Sequence, residues 1–359
     1  MRTHHFFGAG PSQVPLPAIE RIREHLLEYE SSGRSILEIG HRNPLFLKML
    51  EQAESGILDL LELSRDTHRA LFFAGGARQQ FQLIPINFLC AGAPAEYLMT
   101  DYWSEQAASA AEAFGAIRRI TCDITREQPG SPFADSAGPV SYRHITSNGT
   151  VNGYQLILPV VSPGCPLIAD MSSDLLTRRL PDIRPDVMYA GAQKNLGCAG
   201  LSVVIGHQDA LGHAASRVPF HWNYAILCDR RVPDATPPVL SIAVAAEMIR
   251  WTREEGGVGE MERRSRLKAQ GVYSVIDAHA DVYRTTVAIQ NRSRQNVVWH
   301  MRDAATEASF IEAAVREGLT GIRGHASAGG VRVSLYNGVS MAEADDIARF
   351  MDMYASHLR

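Results

Sequence analysis

Leu167-Ile-Ala-Asp170-Met-Ser-Ser and, after a polar gap, Asp186-Val-Met-Tyr-Ala-Gly-Ala-Gln193-Lys194-Asn-Leu-Gly-Cys-Ala-Gly200 decide how the chain is read. Each stretch holds a short apolar run that closes on a polar residue. Such runs read as buried strands of a mainly parallel sheet, and in open sheets of that kind ligands sit at the C-terminal strand ends. Asp170 and Lys194 are therefore candidates for one site. Lys194 stands among Gly191, Ala192, Gly197, Ala199 and Gly200. Its stem has little apolar surface to lie along there, and a backbone can approach a flat ligand closely. A lysine of depressed pKa can form a Schiff base, and an aspartate can keep a pyridinium nitrogen protonated. An acid and a lysine at neighbouring strand ends are what pyridoxal phosphate chemistry needs. The plainer alternative is an Asp170 that caps a turn, a surface Lys194 and glycines that only turn a corner.

Working outward, helical and strand-like segments alternate from about residue 15 to 275, the pattern of an α/β layer fold. Residues 17–27 and 46–63 carry apolar residues at helical spacing. Residues 70–73 read as a buried strand that stops at Ala74-Gly75-Gly76, and residues 78–89 read as a helix with Pro85, a residue that disfavours helix, in its second half. Further strands are expected at 95–99, 118–122, 144–146, 167–170, 187–190 and 201–205. After Gly256-Gly257-Val258-Gly259 the composition shifts to a charged helix at 260–270. Runs at 282–290, 296–300, 309–318, 331–335 and 342–354 then alternate strand and helix on a smaller scale. The expected division is a large domain at 15–259 and a smaller α/β domain at 260–359, with residues 1–14 near the active site.

Composition prunes the function classes. Of 359 residues, 45% are hydrophobic and 21% charged, and the net charge of −4 is dispersed. A globular, soluble chain with a full core is expected, and a nucleic-acid footprint is disfavoured. Five cysteines at wide spacings, with no C-x-x-C pair, argue against a disulfide framework or a structural zinc and suit a reducing cytoplasm. No apolar run is long enough for a signal peptide or a membrane span. G-x-G-x-x-G, the P-loop Gly-Lys pair, H-E-x-x-H and G-x-S-x-G are all missing. None of the 13 histidines has ligand spacing on one element, so a metal hydrolase is a poor reading.

Two further stretches fit the pyridoxal phosphate reading. Ala74-Gly75-Gly76-Ala77-Arg78 is a strand-to-helix junction, where free N–H groups and the helix dipole suit a phosphate. Tyr102-Trp103-Ser104 follows the next strand, and an indole there can stack on a flat ring or simply fill the core. Taken in order, Phe7-Gly-Ala-Gly-Pro11, Gly40-His41-Arg42, Gly75-Gly-Ala-Arg-Gln-Gln-Phe81 and Tyr102-Trp103-Ser104 lead to Asn148-Gly-Thr150-Val-Asn-Gly153 and the two strand ends quoted above. Thr236-Pro237-Pro238, Gly324-His325 and Gly329-Gly-Val-Arg332-Val-Ser-Leu-Tyr-Asn337 close the series. Over almost its whole length the chain resembles the phosphoserine aminotransferase family of class V, fold-type I pyridoxal phosphate enzymes.

The resemblance implies that Lys194 binds pyridoxal 5'-phosphate covalently and acts as the catalytic base, and that Asp170 pairs with the ring nitrogen. It implies that Trp103 stacks on the ring, that Thr150 bonds near the ring substituents, and that the backbone of Ala77 and Arg78 with the Gln193 side chain holds the phosphate. Thr236 would reach across a homodimer interface to the partner's phosphate. Arg332 would grip the substrate α-carboxylate, and His41, Arg42 and His325 its distal phosphate. Two positions depart from the family. Ala326 stands in place of an arginine after His325, which removes a charge and a fork of donors from the phosphate pocket. Ala235 stands in place of an asparagine, a loss of roughly 1.5–3 kcal/mol for one hydrogen bond to a charged group.

The implied activity is transamination between phosphoserine and 2-oxoglutarate by way of 3-phosphohydroxypyruvate and glutamate. Because of Ala326, a specialised paralogue that transaminates another small acidic amino acid is carried as the alternative. A catalytically idle binding protein is the second alternative, against which the joint presence of Lys194, Asp170, Trp103 and Arg332 argues.

Overall fold

The computed structural model describes residues 4–126, 132–134, 138–157, 160, 162, 164–213, 218–230 and 236–358. Seven strands form the central sheet: β1 (His68–Ala74), β2 (Ala95–Met99), β3 (Ile117–Thr121), β4 (Arg143–Thr146), β5 (Leu167–Asp170), β6 (Val187–Gly191) and β7 (Leu201–His207). Their spatial order is β1-β7-β6-β5-β4-β2-β3. All neighbours run parallel except at β7, which is antiparallel to both β6 and β1.

Side chains alternate across a strand, and that alternation builds two cores, one on each face of the sheet. Leu167, Ala169, Met188, Ala190, Leu201, Val203 and Ile205 face one core, joined by Phe46, Met49, Ile57, Ile242 and Ile249. These last come from two helices, α1 (Pro44–Leu60) and α4 (Val239–Glu254). Ile168, Val187, Tyr189 and Val204 face the other core, which Phe81, Ile84, Ala107 and Ala108 complete. Those come from α2 (Ala77–Phe88) and α3 (Tyr102–Ala111). Both faces of β5 and β6 are thus covered, which is why their sequences are unbroken apolar runs.

A third core belongs to the C-terminal part. It gathers Ala269, Val272 and Ile276 of α5 (Gly257–Ala278) with Trp299, Phe310, Val333, Ile347 and Phe350. Two antiparallel strands, Asn296–Trp299 and Val331–Ser334, run through it, flanked by helices Ala304–Arg316 and Met341–His357. Phe7 is fully buried in the same core, and the short strand His5–Phe6 pairs with Leu319–Thr320. The N-terminal segment is therefore fastened to the C-terminal part before it reaches the large sheet.

The helix expected at 78–89 forms as Ala77–Phe88, with Pro85 inside it. One local expectation needs correction. The run at 282–290 is no strand: it makes one isolated bridge, Arg284 with His300, and a 3-10 turn at 289–291. Tyr283 enters the C-terminal core and Val287 the first core of the large sheet. Residues four apart on a strand would share a face, so the segment that crosses between two cores cannot be one.

Phe310 lies edge-on or tilted to Tyr283, Trp299, Phe350 and Tyr354 at centroid distances of 4.9–6.0 Å. Phe310→Ala should cost about 3–5 kcal/mol, to be measured as the shift of the urea unfolding curve of the purified protein. A change below about 1 kcal/mol would contradict the close packing of this core.

Candidate active site

The register of the sheet brings Thr146 and Asp170, at the ends of β4 and β5, beside Tyr189 in the middle of β6. Just beyond them a cavity of about 350 Å³ opens, whose walls include Ala77, Arg78, Trp103, Asp170, Gln193 and Lys194. Four regions of sequence converge there because each strand turns at the same edge of the sheet. Asp170 is buried, and its Oδ1 accepts from the Ser172 N–H at 2.9 Å. Burial raises its pKa against the pull of Lys194. Lys194 is shifted the other way: burial lowers its pKa, and the Asp170 and Asp101 carboxylates only partly offset this.

Helix α2 begins against the same cavity. Its N-cap is Gly76, which offers no side-chain acceptor to the first turn. Ala77 and Arg78, in that first turn, line the cavity, where first-turn N–H groups are left without intrahelical partners and the helix dipole favours an anion. Gln193 folds back over Gly191, where a Cβ would come within 2.5 Å of its Oε1. The N-terminal segment closes the far side. Ser12 donates its backbone N–H to the Gln193 carbonyl at 2.8 Å and its hydroxyl to the Lys194 carbonyl. Gly10 has a φ of +147°, and a Cβ there would stand 3.4 Å from Gln193 Cγ and 3.6 Å from Lys194 Cγ.

Around the mouth, three predicted residues are tied together. The Trp103 indole N–H donates to Thr150 Oγ1 at 2.8 Å, and Arg332 Nη1 donates to the Thr150 carbonyl at 2.9 Å. His325 packs on Tyr102 and Trp103, with ring centroids 4.8 and 6.3 Å away. The remaining predicted residues lie apart from this cavity within one chain. His41 and Arg42 precede α1, Arg42 exposed and His41 with its Nε2 buried and unpartnered. Thr236 is exposed. Ala235 falls outside the described residues.

Sequence reasoning missed Asp101. It caps α3: Oδ1 accepts from the N–H groups of Trp103 and Ser104 at 2.9 and 3.1 Å, and the Ser104 hydroxyl closes a capping box. Its Oδ2 is buried without a partner beneath Gly149, where a Cβ would stand 3.0 Å from it. Asp101 thereby seats Trp103 and the turn that carries Thr150 against each other. The signal was present as Asp-x-x-Ser directly after a strand.

This combination of a layered α/β sheet, a lysine and a buried aspartate at adjoining strand ends, and an open helix N-terminus beside them defines a class. The chain belongs to the aminotransferase class-V family, whose model matches residues 4–347. Its relatives are more particular. The phosphoserine aminotransferase of Desulfatibacillum aliphaticivorans is 36% identical over 356 residues, spanning 97% of this chain and 96% of its own. The solved phosphoserine aminotransferase from Bacillus circulans subsp. alkalophilus matches with a TM-score of 0.94 at 32% identity, over 99% of both chains. A PLP-bound phosphoserine aminotransferase from Trichomonas vaginalis matches with a TM-score of 0.90 at 29% identity, over 97% of this chain and 99% of its own.

Burial pushes the Asp101 pKa from 3.8 up to about 6. Between those values the folded state binds more protons than the unfolded one, so this group's contribution to stability falls as pH rises through the window. Asparagine caps a helix as well as aspartate does, so Asp101→Asn keeps the cap and removes the buried charge. The cofactor-free variant should gain about 1–3 kcal/mol over the parent above about pH 7 and nothing below about pH 4. Urea unfolding at the two pH values checks this, and a gain independent of pH would refute the assignment.

Proposed function

We propose that the chain is a pyridoxal 5'-phosphate-dependent aminotransferase that interconverts 3-phosphohydroxypyruvate and phosphoserine with glutamate and 2-oxoglutarate as the amino-group pair, a step of serine biosynthesis. The observation that carries this is the pairing of Lys194 with Asp170 in one cavity. Asp170 is a buried carboxylate with no cation bonded to it, so it suits a protonated ring nitrogen as its partner. The uncapped first turn of α2 suits a phosphate. The residues present therefore fit the cofactor.

When bound, pyridoxal phosphate supplies a carbonyl that takes up an amino group and a ring that withdraws electrons from the substrate Cα. The chain's own residues do the rest. Asp170 would keep the proton on the ring nitrogen. Ala77, Arg78 and Gln193 would hold the phosphate through two backbone N–H groups and an amide. Trp103 would cover the ring. Thr150, whose oxygen already accepts the indole N–H, keeps its own hydroxyl proton free to donate to a ring substituent. Lys194 Nζ moves the proton at the substrate Cα, and its lowered pKa makes the neutral, basic form more available. Arg332, with its Nε buried and unpartnered, orients the α-carboxylate by a forked contact.

The reading extends to assembly and place. His41, Arg42 and Thr236 lie away from the cavity of their own chain, which supports a homodimer in which each copy completes the other's site. Residues 15–259 would form the cofactor-binding domain and 260–359 the small domain. Five cysteines without a disulfide and no helix, among the described residues, able to cross a membrane are compatible with the cytoplasm.

Lys194→Ala should lower turnover by at least roughly 10²–10⁴-fold and shift the absorbance of the bound cofactor towards that of free pyridoxal phosphate. Steady-state rates against a panel of 2-oxo acids should favour 3-phosphohydroxypyruvate, and undetectable turnover of that compound alone would overturn the substrate assignment in favour of another small acidic amino acid. Ala326→Arg should then tighten the phosphorylated substrate, by roughly tenfold or more for one added charged fork.

A further inference from the structure

A lysine stands where the helical pattern calls for a core residue. Along α5 the buried positions include Met261, Ser265, Lys268, Val272 and Ile276, and Lys268 is 2% exposed. Its neighbours Ala269 and Val272 belong to the C-terminal core, which an apolar residue at 268 would serve as well. Burying an ammonium is costly unless it is hydrogen-bonded, and Lys268 Nζ donates to the Tyr336 and Val339 carbonyls, each at 2.8 Å. Those carbonyls bracket one tight turn, closed by the Val339 N–H on the Tyr336 carbonyl at 3.0 Å. Burial first, and then Arg264, lower the Lys268 pKa to about 7, with Glu343 opposing them.

The turn it grips is where three segments cross. Arg332 lies four residues ahead of Tyr336, on the strand Val331–Ser334. The Tyr336 hydroxyl donates to the Ala9 carbonyl at 3.0 Å and accepts from Asn296 Nδ2 at 3.1 Å. The Asn337 N–H donates to Asn195 Oδ1 at 3.1 Å, one residue beyond Lys194. Gln13 Nε2 donates to the Gly338 carbonyl at 3.0 Å, one residue beyond the Ser12 whose hydroxyl bonds the Lys194 carbonyl. Gly338 passes so close to the N-terminal segment that a Cβ would stand 2.1 Å from the Gln13 carbonyl oxygen. We propose that Lys268 is a positioning residue for transamination: by holding the 336–339 turn from the side of α5, it fixes where Arg332 stands relative to Lys194. The inference rests on the aminotransferase reading above, in which Arg332 grips the substrate α-carboxylate. One cation with three donors bridges both carbonyls, where an apolar residue of similar size would leave them unpaired. Arg332 is then held by a strand anchored beyond its end as well as by its own bond to Thr150.

The test uses the cofactor-loaded enzyme and Lys268→Met, which keeps most of the side-chain length and removes the donors. Two reagents are compared by cofactor absorbance: glutamate, which carries an α-carboxylate, and hydroxylamine, which attacks the same cofactor carbonyl without one. The second-order rate constant with glutamate should fall roughly 10- to 100-fold, mainly through a higher half-saturating concentration. With hydroxylamine it should change by less than about threefold. Lys268→Gln, whose amide still donates two hydrogen bonds, should recover part of the glutamate rate. In the cofactor-free protein, amide hydrogen exchange of residues 5–13 and 331–339 should quicken about tenfold or more, while that of 167–170 and 187–191 stays as in the parent. Tyr336→Phe disturbs the same turn by one hydroxyl and should show the same split between reagents, with a glutamate loss of roughly three- to tenfold; it decides the matter if Lys268→Met does not fold. An equal loss with both reagents, an unchanged glutamate rate, or unchanged exchange in 331–339 would overturn the proposal. A parent enzyme whose cofactor absorbance responds to no amino acid would overturn the aminotransferase reading instead, and the clamp on the turn would then be decided by the exchange of 331–339 alone.

Discussion

A carboxylate buried at the end of a strand, without a cation bonded to it, is the constraint on which this molecule depends. Asp170 is 6% exposed, and burial alone drives it towards its neutral form. The charged form is favoured by Lys194 across the cavity and by the Ser172 N–H, neither of which neutralises it fully. Keeping such a group in the fold is costly, and a cationic partner bonded to it would offset that cost. The floor beneath it is made stiff and neutral. Tyr189, on the neighbouring strand, bonds His144 at 2.8 Å, and His144 stacks on Tyr97, itself bonded to Tyr142 at 2.6 Å. Burial drives the His144 pKa down to about 3, so no competing cation stands below Asp170.

The legible part of this architecture is the part with strict periodicity. β5, β6 and β7 are covered on both faces, so apart from the terminal Asp170 and His207 their residues are apolar, aromatic or small and the strands announce themselves. Asp170 and Lys194 stand out for the same reason, as polar residues set at the ends of apolar runs. Where a segment serves two cores, periodicity is lost. The run at 282–290 sends Tyr283 one way and Val287 the other, so its apolar content imitates a strand that the chain does not form. Asp101 was passed over because its two roles are invisible one at a time. As a cap it is ordinary, and only the approach of Gly149, far along the chain, leaves its second oxygen buried without a partner.

His41, Arg42 and Thr236 illustrate another kind of illegibility. Their resemblance to a binding set is carried by local sequence, but location within the site is a property of how surfaces meet. In one chain they are not among the residues that line the Lys194 cavity, whereas Arg332 and His325, equally remote in sequence, reach Thr150 and Trp103 beside it. The difference lies in the covalent path. Arg332 sits on a strand of a core that also holds Phe7, and the N-terminal segment then runs to Ser12 against Lys194. The C-terminal part is thus pinned to the lysine from two directions.

Thr150 is where those parts meet. Its hydroxyl oxygen accepts the indole N–H of Trp103, from the large sheet, and its carbonyl accepts Arg332 Nη1, from the C-terminal core. Asn152, two residues on, donates to the Thr100 carbonyl at 2.7 Å, just ahead of Asp101. One turn therefore sets the distance between Trp103 and Arg332. Neither hydrogen bond is strong alone, each contributing on the order of 1 kcal/mol. Their effect is geometric: a displacement of Arg332 moves Thr150, and with it the plane of Trp103 and the guanidinium that rests on it. The positions of Arg332 and of the Trp103 ring are in this way linked through a single residue.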